Sequence, residues 1–420
     1  MANSFTKQEM VAFDKMVEGF DDALVIAQGA TNFTEGTPQD ASRARDQWWI
    51  PAPMIGSSYD GSDATGHFGD VTQTQVPVSV SNWKHSAKAF SATDLRNQYA
   101  IDQWAKSAKQ KLASDVNMSI FNRVALEGGM FSKRSAAATG FDDVAILDAY
   151  RSEIGIPAGD MLAFYSPRNM NAMAKNLADR AEATTRSKTA YEKAMINSDV
   201  AGFEVFKNDQ SIRLAAATGG AILINGANQR TVPSATTGTG NDEVNKDNRY
   251  TDLVVDGGTY ANIKAGDAFT IAGVNALHLI TKQDTGQLKT FRVISKPAAN
   301  TIRVYPAIID AAEGSRASVE YANVTAGPAD NAALTWLNTT AADMNPFFKK
   351  ESVLLIPGSF VVEDGSGVSS VTANTDMGIQ LIYSKSTDIK TLLSECRFDI
   401  RWGTALTNPE MAGCQMFSQA

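Results

Sequence analysis

The side chains that most often do chemistry in proteins are few in this chain, and their spacing matches no catalytic motif. The three histidines are His67, His85 and His278, and no two of them share a helical face. The sequence contains no His-Glu-x-x-His or Cys-x-x-Cys zinc spacing, no nucleophile elbow and no Gly-Lys pair of a phosphate-binding loop. The cysteines, Cys396 and Cys414, are too few for a disulfide framework and indicate a reducing cytosol. We therefore expect that the protein is not an enzyme and that it has no catalytic residue, no cofactor and no metal site.

Acidic groups are the remaining candidates for acid–base or metal chemistry. The densest group contains Asp242, Glu243, Asn245 and Asp247. It resembles a loose calcium loop, but it lacks the central glycine and the terminal glutamate of an EF-hand. Because the chain has 46 acids, we interpret these residues as part of a solvated loop.

Length, charge and hydropathy limit the class of protein further. A chain of 420 residues exceeds the size at which one core normally grows, so two or three domains are expected. The net charge of −8 argues against a general nucleic-acid binder, whereas a shell around packed nucleic acid tolerates that sign. The N-terminus shows no signal-peptide pattern, and no apolar run reaches the ~18 residues of a membrane span. We expect a protein that is made and used in water.

One long helix over residues 91–129 is the strongest structural prediction. Its apolar positions recur every fourth residue, at Leu112, Val116, Ile120 and Val124. Ser91 and Asp94 form a capping box, with Thr93 as the competing N-cap, and Gly128-Gly129 provide the expected left-handed C-cap. The rod would be on the order of 50 Å long. It carries too many charges for a membrane and lacks the strict heptads of a coiled coil.

The segments before this helix differ in character. Residues 5–28 predict an amphipathic acidic helix, either an arm that embraces a neighbour or basic partner, or a helix packed on its own domain. Residues 29–90 are polar and glycine-rich, with strand-like alternation near their end, so a neighbouring subunit is expected to order them. Trp48-Trp49 is a candidate interface anchor, although core packing is the more common role of such a pair.

After the long helix, helical and strand patterns alternate, which predicts an α/β or α+β layer. Helices are predicted at 141–155, 168–180 (after the Ser166-Pro167 start signal) and 187–196, and strands at 161–165 and 200–209. A loop-rich stretch at 226–250 follows. Six short apolar runs then predict a small antiparallel barrel or sandwich, at 251–255, 267–274, 276–281, 288–295, 301–309 and 317–324. A helix at 329–338 and strands at 352–357, 378–385 and 395–403 complete the pattern.

Several stretches, in this order along the chain, resemble one known family. They are SATDLRNQYAIDQWAKSAKQKLASDV, VAGFEVFK, VNKDNRY leading into KAGDAFTIAGV, YANV, and ECRFDIRWGTALTNPEMAG. In these stretches the chain resembles the major coat protein of short-tailed (podovirus) tailed phages. The resemblance implies an α+β chain with the Hong Kong 97 capsid fold and an inserted small antiparallel β-barrel.

The resemblance also implies a domain plan. Its parts are an N-terminal arm (1–33), an extended loop (34–92), the spine helix of the peripheral domain (93–139), the axial domain (140–226), the inserted β-barrel (227–329), the axial return (330–375) and the peripheral C-terminal strands (376–420). The function implied is a major capsid protein that self-assembles, with a scaffolding protein, into the icosahedral shell around the phage double-stranded DNA. The extended loop would lie over a neighbouring subunit.

The partners implied are other copies of the chain in pentamers and hexamers, a scaffolding protein, a portal protein, an optional decoration protein, and packaged DNA without sequence-specific contacts. No membrane partner is expected. The location implied for the protein is the virion capsid, which is assembled in the host bacterial cytoplasm. Candidate subunit contacts are Asp14 for the scaffolding protein, Trp48 and Trp49, the spine cations Arg96, Lys106 and Lys109, and the loop acids Asp242, Glu243 and Asp247. The loop 234–248 would project between capsomers.

Two alternatives from other classes remain open in the sequence. A phage tail-tube or neck protein also uses β-rich modules, although the long helix argues against it. A cytosolic enzyme or ligand-binding protein would hold its ligand in the barrel. Covalent cross-linking of subunits occurs in some relatives of this fold and needs a Lys–Asn pair beside a catalytic acid. The resemblance, which is to the subgroup with an accessory domain, implies no cross-linking here.

Overall fold

The computed structural model describes residues 7–33, 47–52, 56, 58, 60–63, 65, 68, 71–91, 93–180, 200–360, 368–388, 390–391 and 393–420. The α-helices in these ranges are α1 (Lys7–Val17), α2 (Gln98–Glu127), α3 (Phe141–Ile154), α4 (Pro167–Arg180) and α5 (Arg316–Tyr321). The strands are β1 (Thr31–Asn32), β2 (Gln47–Pro51), β3 (Gln75–Ser79), β4 (Asn82–Phe90), β5 (Met130–Lys133), β6 (Met161–Tyr165), β7 (Phe203–Lys207), β8 (Arg213–Leu214), β9 (Ile222–Ile224), β10 (Thr236–Thr237), β11 (Val244–Asn245), β12 (Thr251–Gly257), β13 (Ala268–Leu277), β14 (Asp284–Ala298), β15 (Thr301–Tyr305), β16 (Leu334–Trp336), β17 (Ala342–Asp343), β18 (Asn345–Lys349), β19 (Val353–Pro357), β20 (Ser369–Asn374), β21 (Gln380–Asp388), β22 (Leu393–Leu406) and β23 (Ala412–Met416). The predicted α+β class is confirmed.

The first of two compact units is built on a six-stranded sheet. The unit comprises Met1–Trp48, Val78–Phe121 and Val353–Ala405. The strand order is β1-β19-β22-β21-β20, and β4 pairs antiparallel with β22. Side chains of β22 alternate in burial, since Cys396 and Phe398 are buried while Glu395 and Arg397 are exposed. This period of two is typical of a sheet with one covered face.

Two helices cover that face. The ring of Phe13 on α1 stacks on Phe398 with the centroids 6.5 Å apart, and Trp104 on α2 lies 4.5 Å from the same ring. The predicted apolar stripe of α2 is confirmed, because Leu112, Val116, Ile120 and Val124 are each at most 1% exposed. The helix is therefore amphipathic in the sense that the sequence predicted.

The C-terminal end of α1 and the N-terminal end of α2 differ from prediction. α1 ends at Val17 rather than at residue 28, because Gly19 adopts φ +65° and short 3-10 turns follow it. The capping box at Ser91 and Asp94 is present, since each side chain accepts a hydrogen bond from the other residue's backbone N–H at 3.2 Å. It opens a 3-10 turn over Asp94–Arg96, and α2 begins only at Gln98.

The C-terminal glycines of α2 have a different role from the one predicted. Gly128 and Gly129 do not adopt a positive φ, so the left-handed cap is absent. A Cβ on Gly128 would lie 2.6 Å from the Val124 carbonyl oxygen, and one on Gly129 would lie 2.6 Å from Cδ of Pro306. Close approach of neighbouring segments, rather than backbone conformation, requires glycine here.

The second unit comprises Trp49–Pro77, Asn122–Ser352 and Leu406–Ala420, and contains a mixed five-stranded sheet. Its order is β5-β23-β18-β6-β7, with parallel pairs at β5–β23 and β6–β7 and antiparallel pairs elsewhere. The predicted helices at 141–155 and 168–180 and the strand at 161–165 are present. The predicted helix at 187–196 lies outside the described residues.

The same unit contains an antiparallel barrel. Its strand order is β16-β13-β14-β15-β12-β9, and a bridge between Leu223 and Ala333 joins β9 back to the start of β16. A second closing bond runs from the Ile224 N–H to the Ala332 carbonyl at 2.9 Å. The interior is filled by fully buried side chains, among them Phe269, Phe291, Ile302, Val304 and Val324.

The barrel has the predicted number of strands but not the predicted members. Residues 317–324 were expected to be a strand, yet Ser315 caps a short helix there by accepting from the Ser318 N–H at 3.1 Å. The run at 276–281 leaves the sheet after Leu277. Residues 329–338 were expected to be a helix, but β16 closes the barrel instead. β9 and β16 thus lie outside the predicted limits 227–329.

Candidate assembly surfaces

The N-terminal helix packs on its own unit. Lys15 forms an ion pair with Asp102 of α2, and Lys385 donates to a Glu9 carboxylate oxygen at 2.6 Å. Asp14, the candidate scaffold contact, is exposed on the same helix. The sequence left two roles open for this helix, an arm on a neighbouring molecule or a helix packed on its own domain. The structure contains the second arrangement, in which Asp14 stays exposed to solvent.

The ion pair of α1 and α2 predicts a pH dependence. Lys15 and then Gln98, which donates to Asp102 at 2.7 Å, hold the pKa of Asp102 below its usual range. A lowered pKa means that the carboxylate stabilises the fold above about pH 4 and that this contribution is lost as the pH falls through the folded-state pKa. Asp102→Asn should cost at most about 1 kcal/mol at pH 7, because Lys15 is partly exposed. Urea unfolding of both proteins at pH 7 and pH 3 measures this, and a deficit that grows on acidification would contradict it.

The spine cations have different surroundings. Arg96 and Lys106 are exposed, and Arg96 lies in the 3-10 turn before the helix rather than on it. Lys109 donates to the Glu18 carbonyl at 2.9 Å and so contacts its own chain. These positions leave Arg96 and Lys106 better suited than Lys109 to contact a neighbour.

The two tryptophans of β2 are half-buried rather than exposed. Trp48 stacks on Phe33 with the ring centroids 6.0 Å apart. Its indole N–H is buried and has no hydrogen-bond partner among the described residues. The stacking favours the core-packing interpretation for Trp48.

The loop 234–248 is a hairpin with an exposed tip. β10 and β11 pair antiparallel. Asp242 and Glu243, which lie between these strands, and Val244, the first residue of β11, are exposed. At the base, Asn248 accepts from the Ser234 N–H at 3.1 Å and donates to the Ser234 carbonyl at 2.7 Å. The reciprocal bonds fix where the hairpin leaves the barrel.

Of the other two candidate acids, Glu243 accepts from the Thr236 hydroxyl at 2.5 Å, and Asp247 forms an ion pair. The Asp247 carboxylate binds Arg249 in a bidentate pair of 2.9 and 2.7 Å, and Arg249 also donates to the Leu406 carbonyl at 2.6 Å. Bidentate pairs are among the stronger side-chain contacts. The structure therefore gives Asp247 a partner in its own chain, whereas the carboxylate of Asp242 projects at the tip.

One feature of the second unit was missed by the sequence predictions: β14 docks the barrel on the end of α2. Lys289 donates to Glu410 at 2.7 Å, Thr290 donates to the Gly129 carbonyl at 2.7 Å, and Arg292 donates to the carbonyls of Ala125 and Leu126. We call these three β14 residues, with Glu410, the barrel joint. The sequence signal that could have identified this contact is the presence of two cations, Lys289 and Arg292, in the strand-like run 288–295.

The environment of Arg292 is unusual for a cation. The side chain is fully buried, and burial lowers the pKa of its guanidinium. Its charge faces the carbonyl end of α2, the negative end of the helix dipole, and lies 5.1 Å from the Phe131 ring centroid. These interactions, together with the nearby Asp267, offset part of the desolvation of the charge, and the buried Nη1 of Arg292 has no hydrogen-bond partner among the described residues.

The described part of the chain contains neither a reactive thiol nor a cluster of metal ligands. Burial raises the pKa of Cys414 to about 11 and also raises that of Cys396, so both remain neutral thiols near pH 7. Within the described ranges, no three His, Cys, Asp or Glu side chains are placed to hold a metal ion. None of the described helices is both long and apolar enough to span a membrane.

Comparison with known proteins gives a family. The family model described as "P22 coat protein - gene protein 5" matches residues 1–418. A structure from Mycobacterium phage Che8 is 7% identical, covers 93% of this chain and 90% of its own, and has a TM-score of 0.43. The capsid of cyanophage P-SCSP1u is 11% identical, with coverage of 93% and 86% and a TM-score of 0.42. The CUS-3 coat protein I-domain is 34% identical over 29% of this chain and 99% of its own, with a TM-score of 0.23. The match over residues 1–418 is what assigns the family.

Proposed function

The chain belongs to the P22 coat protein family and is a major capsid protein of a bacteriophage, and from this premise we propose that it builds an icosahedral shell with the help of a scaffolding protein. The family membership decides against the tail-tube and ligand-binding alternatives. The proposed shell consists of pentamers and hexamers, encloses double-stranded DNA without sequence-specific contacts and forms in the host bacterial cytoplasm. A portal protein and an optional decoration protein complete the proposed partners.

The observation that carries this proposal is the family match over almost the whole chain. The order of elements supports it: an N-terminal helix, strands β2 to β4, the long helix α2, a mixed sheet and a barrel within the second unit. This order is also what supports a Hong Kong 97-type fold. The domain plan stated above is part of the proposal, with β9 and β16 added to the inserted barrel.

Assembly in vitro tests the function. The purified chain, mixed with the scaffolding protein of the same phage, should form closed particles above a threshold concentration, followed by light scattering and electron microscopy. The chain alone at equal concentration is the control for scaffold dependence. Failure to form particles under any ratio of the two proteins would contradict the proposed assembly.

The exposed hairpin tip is the proposed contact between capsomers, and it yields a second prediction. Asp242→Lys should leave the stability of the monomer within about 0.5 kcal/mol, because the residue is exposed. It should reduce the yield of closed particles, because a charge that meets a partner across an interface is reversed. Asp256→Lys makes the same charge change at an exposed barrel position away from the hairpin and is the control. Equal particle yields for both variants, measured by sedimentation, would remove the hairpin from the proposed contacts.

A further inference from the structure

One described segment of the extended loop lies against the barrel of its own chain. We call residues 71–77 the returning limb. Side chains along it alternate in burial, with Thr74 5% and Val76 1% exposed between the more exposed Gln73 and Gln75. Alternation of this kind indicates a strand with one covered face. The sequence predicted that a neighbouring subunit would order this region, yet here its own chain covers the limb.

Two polar contacts fix the limb to the barrel. The hydroxyl of Tyr321, the last residue of α5, donates to the Thr72 carbonyl at 3.0 Å. Three residues further along, Gln75 forms a parallel bridge with Asp247 at the base of the hairpin. The limb is thus held at two points, by α5 and by the hairpin base, and the Thr74 carbonyl also accepts from the Ala52 N–H at 2.9 Å.

Apolar packing alone does not define the position of the limb. A cavity of about 150 Å³ remains beside it, bordered by Val76 and Tyr321 and by Leu279 and Pro306. Because incomplete packing lets a segment shift, the two polar contacts define its position more than they would in a close-packed core. Tyr321 and Asp247 are therefore the residues to test.

The contact at Asp247 also joins two projecting segments. Asp247 is itself held by Arg249, which is anchored on the Leu406 carbonyl. The exposed hairpin tip ends where β11 begins, at Val244, three residues before Asp247, and the limb is itself a part of the extended loop 34–92. One rigid base therefore supports both segments.

We propose that Tyr321 and Asp247 clamp the returning limb in cis, so that the barrel sets the direction of both the extended loop and the hairpin. The clamp rests on the proposed function, because its purpose is to present two contact segments in a fixed mutual orientation. A closed shell requires such orientation, since segments that move independently would permit many subunit arrangements. Tyr321 is a positioning residue in this scheme and contacts no other subunit itself.

Hydrogen exchange of the unassembled full-length chain tests the clamp directly. Tyr321→Phe removes only the hydroxyl, and amides of residues 72–76 should exchange about fivefold faster, as expected for one lost hydrogen bond. Tyr260→Phe is the matched control, because its hydroxyl donates to the Ala298 and Thr301 carbonyls within the barrel at 2.7 and 3.0 Å. The control should leave exchange in the limb unchanged. Equal exchange of the limb in Tyr321→Phe and the parent would overturn the clamp.

Assembly of the same proteins separates the clamp from the proposed function. If the clamp positions contact segments, Tyr321→Phe should form a wider range of particle shapes than the parent and Tyr260→Phe, as seen by electron microscopy. Parent particles together with unchanged shapes in Tyr321→Phe would overturn the clamp and leave the capsid function standing. Absence of parent particles would count against the assembly proposal, while the exchange measurement would still decide whether the limb is held.

Discussion

Glu410→Ala is expected to destabilise the subunit by about 3–5 kcal/mol, the usual cost of removing one partner from a buried ion pair. The Glu410 carboxylate accepts from Lys289 at 2.7 Å and from the Asn323 amide at 2.6 Å. The side chains of Lys289 and Glu410 are only 5% and 11% exposed. Truncation would leave the ammonium group of Lys289 buried without a counter-charge, and water cannot easily replace the lost carboxylate. Urea unfolding followed by tryptophan fluorescence measures the change in the free energy of unfolding.

A double variant separates the buried charge from the packing. Lys289→Met with Glu410→Leu replaces the pair by apolar side chains of similar size, which is often neutral or stabilising. The double variant should therefore recover most of the stability that Glu410→Ala loses. If the double variant were as unstable as Glu410→Ala, the loss would come from the Asn323 bond or from packing rather than from the stranded charge of Lys289. Glu410→Gln, which keeps the shape and one acceptor, should lie between the parent and Glu410→Ala.

The parts of the fold that the sequence predicted are those fixed by local periodicity. The α2 stripe from Leu112 to Val124 could be predicted because burial of one helical face recurs at 3.6 residues. Alternation also predicted β4 and β22. The capping box at Ser91 and Asp94 was identified correctly as a local motif, but a 3-10 turn satisfies the same hydrogen bonds, so the motif did not fix where α2 begins.

The errors arose where a distant segment decides the local structure. Residues 334–336 have no strand pattern of their own and become β16 because β13 and β9 offer unpaired edges that they close. The apolar run at 317–324 has a strand-like composition, yet Arg316–Tyr321 form a helix that Ser315 caps. The cap is a local sequence signal, but the prediction followed the apolar pattern instead. Gly128 and Gly129 were assigned to a cap, whereas Gly413 and Pro306 determine their role from elsewhere in the chain.

The candidate contact residues show the same limit. Exposure of Asp14, Arg96, Lys106 and Asp242 follows from their charge and position on short or amphipathic elements. Asp247 carries the same charge as Asp242 and lies five residues away, yet Arg249 pairs with it in cis. Composition cannot separate two such acids, because the difference depends on which side of a hairpin base each one occupies.

Arg292→Ala is the second substitution with a large expected effect, a loss of about 3–5 kcal/mol. Truncation removes the donors that satisfy the Ala125 and Leu126 carbonyls at the end of α2, and it leaves a cavity where a fully buried side chain was. The opposing term is that the burial of the guanidinium is itself costly, as the lowered pKa of Arg292 indicates. The helix dipole and the ring of Phe131 offset part of that cost, and the buried Nη1 has no hydrogen-bond partner in the described residues. We expect the carbonyl and cavity terms to dominate over the cost that remains.

Arg292→Met decides between those terms, because methionine fills much of the volume without a charge or a donor. If the guanidinium stabilises the end of α2, Arg292→Met should remain about 1.5–3 kcal/mol less stable than the parent, since hydrogen bonds to a charged group are lost. Amides near residue 127 should then exchange faster in Arg292→Met than in the parent, and those of β4, in the first unit, should not. A methionine variant as stable as the parent would instead mean that the buried charge makes no net contribution to stability. In that case the barrel joint would be held by Lys289, Thr290 and apolar packing rather than by Arg292.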